Sequence, residues 1–311
     1  MTPAAKRLRV SAASIEFQNP LLLAAGTAAY GRELDRVMNL DSLGGIVTKA
    51  VSPEPRKGAP APRVAEFEGG MINAVGLANP GLEVVKQEDL PWLEKNLHGP
   101  RVVVNVVGNV LEDFATVVEG LSSASRVDAF ELNVSCPNTK AGGMEFGADR
   151  DTLDALVRRA RTATSKPLFV KLSPTLPSIA DTARAAVDAG ADGLTLVNTI
   201  PGLVIDVDKR QPALGFGTGG VSGPGLLPVG VLAVWKVSRA VSVPLIGVGG
   251  VTKGTDAIQY LLAGASLIGV GTAALRDPRA PERIVAEMES WFDEHSVNNV
   301  SEIIGSLEWQ S

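Results

Sequence analysis

Leu245-Ile246-Gly247-Val248-Gly249-Gly250, a helical run over 255–263, Gly264-Ala265, and then Leu267-Ile268-Gly269-Val270-Gly271-Thr272 decide the fold. Two apolar runs too short for helices flank an amphipathic stretch, and Gly264 stands where a helix C-cap falls. That is the pattern of a strand, a crossover helix and a second, parallel strand. Outward from this unit the alternation recurs, with strands expected at 21–25, 45–48, 102–107, 129–134, 168–172, 193–197, 245–248 and 267–270. Helices are expected between them at 82–97, 112–123, 150–164, 179–189, 227–241 and 255–263. Eight strands joined by long crossovers predict an α/β chain folded as a (β/α)8 TIM barrel, with 1–311 as one domain. The alternative is an open doubly wound sheet, but its Gly-x-Gly-x-x-Gly turn is not found after the first strand. Segments 8–10 and 15–17 predict an N-terminal hairpin that closes the barrel bottom. Connections 49–81 and 198–225 are too long for turns, and in a barrel such loops lie over the C-terminal face.

Composition narrows the partners. The 311 residues carry 29 Lys+Arg against 34 Asp+Glu, a net charge of −5 without a long basic run, which argues against nucleic acid or an anionic membrane surface. A single cysteine excludes an internal disulfide and a Cys-rich zinc or iron–sulfur site, and fits a reducing cytoplasm. The N-terminus is basic at Lys6, Arg7 and Arg9, but Val10-Ser11-Ala12-Ala13-Ser14 is too short and polar for the apolar core of an export signal. Uncharged segments 211–235 and 257–275 are interrupted by glycines and read as soluble, not membrane-spanning.

The chemistry sits at the expected strand ends. Lys171 lies in Phe169-Val170-Lys171-Leu172 and Lys49 comes directly after Ile46-Val47-Thr48, so each ammonium starts from apolar surroundings and needs either a ligand or a buried ion partner. Gly249-Gly250 and Gly271-Thr272, each just before a helix, suit a phosphate, because glycine admits close backbone approach and helix N-termini supply N–H donors; two tight turns without a ligand are the alternative. Asn105, Asn133, Asn198 and Thr199 add polar groups to the same ends. Cys136, in Asn133-Val134-Ser135-Cys136-Pro137-Asn138, reads either as a buried small hydrophobe or, beside the Gly-rich stretch 140–147, as a proton acceptor under a lid. His98 and His295 belong to no strand-end cluster, so neither a Ser-His-Asp triad nor a metal site is expected.

Asn133 to Asn138, with Lys140-Ala141-Gly142-Gly143 and Phe146-Gly147 beyond it, resembles the catalytic stretch of dihydroorotate dehydrogenases. Asn73-Ala74-Val75-Gly76-Leu77-Ala78-Asn79-Pro80-Gly81 is similar to that family's orotate loop, and Gly220-Val221-Ser222-Gly223-Pro224 to one of its flavin-phosphate segments. The cysteine resembles class 1, and the loops look more like class 1B than 1A. The resemblance implies one FMN per chain, near Ala25, Gly26, Lys49, Ala50, Asn105, Asn133, Lys171, Val197, Gly223, Gly249, Gly250, Gly271 and Thr272. It implies dihydroorotate or orotate held by Lys49, Asn73, Val75, Gly76, Leu77, Asn133, Asn138, Asn198 and Thr199. Cys136 is then the general base that takes the C5 proton while hydride leaves C6 for flavin N5, with Lys171 stabilising the reduced flavin. This is the dihydroorotate oxidation of pyrimidine (UMP) biosynthesis. Class 1B further implies a homodimer within a heterotetramer, whose partner subunit carries FAD and a [2Fe-2S] cluster and passes electrons to NAD. The alternatives are a fumarate-using class 1A enzyme, a dihydropyrimidine dehydrogenase-like flavoprotein, a tRNA dihydrouridine synthase, or a flavin- or phosphate-binding barrel without redox activity.

Overall fold

The computed structural model describes residues 7–309 apart from 136 and 139–143, with backbone alone at 137, 138 and 144. Eight short apolar segments become strands: β1 (Leu21–Leu23), β2 (Gly45–Val47), β3 (Arg101–Val106), β4 (Ala129–Asn133), β5 (Leu168–Leu172), β6 (Gly193–Leu196), β7 (Leu245–Val248) and β8 (Leu267–Val270). They hydrogen-bond in parallel as a closed ring in chain order, with β8 pairing to β1. Nearly every residue in these strands is buried, because the ring interior covers one face and helices cover the other. Several strands stop a residue or two short of the expected ends: β1 at Leu23, β2 at Val47, β4 at Asn133 and β6 at Leu196. There the ring opens into a mouth, and single ladder bonds continue the pairing, such as Ala24 N–H to Val270 O at 2.8 Å and Val197 N–H to Val248 O at 3.0 Å.

The crossovers are α1 (82–96), α2 (Leu111–Ser122), α3 (Arg150–Thr162), α4 (Ile179–Asp188), α5 (Leu227–Ser238), α6 (Gly254–Ala263), the short α7 (Thr272–Arg276) and α8 (Ala280–Glu294). A π turn over Val85–Asp89 interrupts α1 just before Pro91, whose nitrogen cannot donate to the helix. The sequence reading did not include α8, although Pro281 in its first turn and buried Ile284, Met288 and Phe292 at four-residue spacing mark it. From β1 to β2 the described chain passes through turns and one 3₁₀ turn, Leu40–Ser42, without an α-helix.

The two long connections pair with each other. Ile200–Gly202, Gly219–Ser222, Gly70–Asn73 and Val64–Phe67 form a four-stranded antiparallel sheet in that order. Its central register sets Gly220 opposite Asn73 and Ser222 opposite Met71. At the other end an N-terminal hairpin joins Val10–Ala12 to Ile15–Phe17, with Ala13 and Ser14 at φ 49° and 63° in the turn. The first strand was expected at 8–10 and lies two residues later, because the two-residue turn at Ala13-Ser14 requires Ala12 opposite Ile15. Arg101 Nε, at the start of β3, donates to Glu16 O at 2.8 Å, which fixes the hairpin at the N-terminal ends of the strands.

Tyr260 of α6 ties the wall to the mouth. Its hydroxyl donates to Gly249 O at 2.8 Å, and its ring occupies space left by two glycines. A Cβ on Gly230 of α5 would fall 1.9 Å from the hydroxyl oxygen, and one on Gly247 of β7 would fall 2.3 Å from the ring. Burial, then the charge of Asp256, pushes the hydroxyl's ionisation upward, so it remains a donor. Gly247→Ala is expected to cost about 1–3 kcal/mol, the usual scale of overpacking, read as a lower urea midpoint. Gly225→Ala is the control: an added Cβ meets its nearest atom at 3.9 Å, and the midpoint should stay close to wild type.

Candidate active site

The strand ends open into a cavity of about 790 Å³, roofed by the four-stranded sheet. Ala25, Gly26, Lys49, Ala50, Asn105, Asn133 and Lys171 border it from the first five strands. Val197, Gly223, Gly249, Gly250, Gly271 and Thr272 border it from the second half of the chain. Asn73, Val75, Gly76, Leu77, Asn198 and Thr199 border the same space from the two long connections. Cys136 and the Lys140–Gly143 part of the expected lid lie outside the described residues, as does the side chain of Asn138. Their flanks are placed: Ser135 and Glu145 border the cavity, and Glu145 pairs with Pro137 across a two-residue ladder.

Both lysines stand without compensation. Lys171 is 7% exposed, and its ammonium makes no hydrogen bond or ion pair among the described residues; the same holds for Lys49. Of the two roles left open by the sequence, neither lysine has a described ion partner. A buried cation in that condition costs free energy until an anion or strong acceptor reaches it. The asparagines are partly engaged. Asn198 Nδ2 donates to Asn133 Oδ1 at 3.3 Å and Asn198 Oδ1 accepts from Thr199 N–H at 2.8 Å, while Asn73 Nδ2 donates to Gly220 O at 3.3 Å. Asn133 is left with its NH₂ and Asn73 with its carbonyl as the ends that have no described partner, a donor and an acceptor for one polar ligand.

One corner is built from backbone. Gly249 and Gly250 have φ of 123° and 75°, and a Cβ on Gly250 would lie 2.4 Å from Leu227 N, so both the conformation and the contact require glycine. Tyr260 holds this turn at Gly249, and buried Asp256 holds its far end by accepting from Thr252 N–H at 2.9 Å, Thr252 Oγ1 at 2.8 Å and Lys253 N–H at 3.2 Å. Across the corner, Thr272 Oγ1 donates to Ser222 Oγ at 2.8 Å, linking β8's end to the roof. Gly26, at φ 82°, faces open space in which an added Cβ would meet nothing within 4 Å.

Two carboxylates, Glu131 and Glu145, were not singled out from the sequence. Glu131 lies inside β4, where its apolar frame Phe130-Glu131-Leu132 matched that of Lys171 and was the available signal. Glu145 borders the cavity, and burial raises its pKa, partly offset by the Ser173 hydroxyl at 3.5 Å. It stood in the Gly-rich stretch, where only the fold could turn it toward the mouth.

The dihydroorotate dehydrogenase family profile matches residues 7–292 of this chain. A protein of Geobacter sp. (strain M21) is 44% identical over 301 residues, covering 97% of this chain and 98% of its own, and is named dihydroorotate dehydrogenase B (NAD(+)), catalytic subunit. Proteins of Geobacter sulfurreducens and Alkaliphilus metalliredigens carry the same name, at 45% and 42% identity, with 97% and 96% of this chain and 98% of each relative covered.

Because the fold raises the Glu145 pKa, it favours the protonated form; that stabilisation is present below the ordinary glutamate range and is lost as pH rises through the raised value. Wild type should therefore lose stability just above the ordinary carboxylate range, and Glu145→Gln should lose less there. Urea midpoints across a pH series check this, and equal slopes would contradict it.

Proposed function

The chain belongs to the dihydroorotate dehydrogenase family, and from that membership we propose that it oxidises (S)-dihydroorotate to orotate in pyrimidine biosynthesis, using one FMN. The observation that carries this reading is a single cavity lined by two uncompensated ammonium groups, a set of asparagine amides and a glycine-built corner. These groups suit two anionic, hydrogen-bonding ligands. The fit to FMN rests on the chemistry of that lining: the corner at Gly249-Gly250 and Gly271-Thr272 offers backbone N–H groups to a phosphate. Lys171 offers positive charge to an electron-rich ring, and the buried Asn105 Oδ1 has no described donor. FMN, when bound, supplies the hydride acceptor.

The remaining chemistry belongs to the chain. Asn73, Asn133 and Asn198 present amide donors and acceptors that match the edge of a pyrimidine. Lys49, with the backbone N–H groups of Val75 to Leu77, forms a carboxylate-binding edge. Cys136 Sγ takes the C5 proton; Ser135, which precedes it in the chain, and Glu145 both border the cavity. Lys171 supplies positive charge at the cavity and would stabilise an electron-rich ring held there.

A homodimer of this chain would then sit in a heteromeric assembly and pass electrons to NAD through a partner subunit carrying FAD and a [2Fe-2S] cluster; the words NAD(+) and catalytic subunit in the relatives' name support the acceptor and the existence of a partner. The assembly works in the cytoplasm; among the described residues no helix is long and apolar enough to cross a membrane.

The purified chain should be yellow, with absorbance near ~450 nm as for oxidised flavin, and anaerobic dihydroorotate should bleach it while dihydrouracil does not. A colourless protein, or one bleached equally by both, would contradict the reading. Cys136→Ala should slow bleaching by about two to four orders of magnitude, the scale of a general base, and an unchanged rate would remove the thiol from the mechanism.

A further inference from the structure

Glu131 is 1% exposed and lies inside the ring, where it accepts two short hydrogen bonds. Oε1 accepts from Asn105 Nδ2 at 2.7 Å, and Oε2 accepts from Thr195 Oγ1 at 2.7 Å. Asn105 stands opposite Glu131 in the β3–β4 register, whereas Thr195 is on β6, with Lys171 of β5 in register beside it. The carboxylate thus bridges β3, β4 and β6 across the interior.

A carboxylate only accepts, so Asn105 must turn its NH₂ toward Glu131 and its Oδ1 away. The residue is pinned at its backbone as well: Asn105 N–H donates to Thr48 Oγ1 at 3.2 Å, and Thr48 Oγ1 donates to Lys49 O at 2.9 Å. Asn105 borders the cavity and is 1% exposed, and its Oδ1 has no donor among the described residues. A buried acceptor left unpaired is costly, which makes it a place where a ligand donor gains more than an ordinary hydrogen bond.

We propose that Glu131 is a positioning residue: by holding the Asn105 amide in one orientation, it makes the cavity floor present an acceptor and so selects a ligand ring N–H at that point. The proposal rests on the flavin and pyrimidine reading of the cavity. Oxidised isoalloxazine has one ring N–H, at N3, and orotate has two, at N1 and N3; the shared chemistry is an amide-type ring N–H. Exchanging the carboxylate for an amide removes the constraint, because a glutamine can donate to Asn105 Oδ1 and let the NH₂ turn to the cavity.

Two titrations of the full-length chain separate the ligands. Flavin-stripped protein is titrated with FMN and N3-methyl-FMN by flavin fluorescence, and FMN-loaded protein with orotate, 1-methylorotate and 3-methylorotate by flavin absorbance. In wild type, methylation of the N–H that meets Asn105 should weaken binding by about tenfold or more, the weight of one buried hydrogen bond. Glu131→Gln should reduce that discrimination to about threefold or less, while the flavin or pyrimidine arm that shows it identifies the ligand. Thr195→Val, which keeps the Glu131–Asn105 bond, should retain it. If Glu131→Gln does not fold, Glu131→Met/Thr195→Val removes the carboxylate and its second donor together and is read the same way. Discrimination absent in wild type, or undiminished when the carboxylate is gone, overturns the role of Glu131 while leaving FMN and orotate binding intact. A chain that binds neither FMN nor orotate overturns the flavin reading and this proposal with it.

Discussion

An ammonium group held in an apolar frame without a counter-charge is the condition on which the mouth of this barrel turns. Lys171 sits in β5 between Val170 and Leu172, is 7% exposed, and finds no partner among the described residues. The ring of eight strands can tolerate it because packing on both faces of the sheet fixes the backbone whatever the lysine does. The surplus positive charge is therefore kept at the mouth, where an anion can meet it. Lys49, half-buried just past the end of β2, adds a second ammonium without a described partner three strands away.

Around that charge the chain separates rigid parts from receptive ones. Helix α6 immobilises the Gly249-Gly250 turn from both ends through Tyr260 and Asp256, and Glu131 immobilises Asn105 from below. Gly249, Gly250 and Asn105, fixed by these hydrogen bonds, all border the cavity. Preorganisation of this kind means that a ligand meets donors and acceptors whose ordering cost was met on folding.

Much of the ring was legible because parallel strands covered on both faces are continuous apolar runs, and all eight occur within a residue or two of the expected positions. The lysines and glycines at the strand ends were legible because they break those runs. The roof sheet was not: its strands are three or four residues long and half-exposed, and Asn73 meets Gly220 from 147 positions away. Glu131 was missed for a different reason. A lone acid inside a strand has no sequence partner, and Asn105 and Thr195 become its donors only once β3, β4 and β6 curve around one interior. The hairpin register slipped by two residues because its turn, Ala13-Ser14, lacks the glycine or asparagine that usually announces positive φ.

On the proposed function, the cavity holds positive charge unpaired until a flavin and its substrate arrive. Thermal unfolding of wild type and Lys171→Met, each with and without saturating FMN, tests it most directly. Without FMN the methionine variant should unfold at the higher temperature, because a costly buried charge has been replaced by an apolar side chain. With FMN the order should narrow or reverse, since ligand binding stabilises in proportion to its affinity and the variant binds more weakly. A flavin-free variant that melts below wild type, with an equal gain from FMN in both, would show that Lys171 is already paired within the protein and that the mouth carries no unpaired charge.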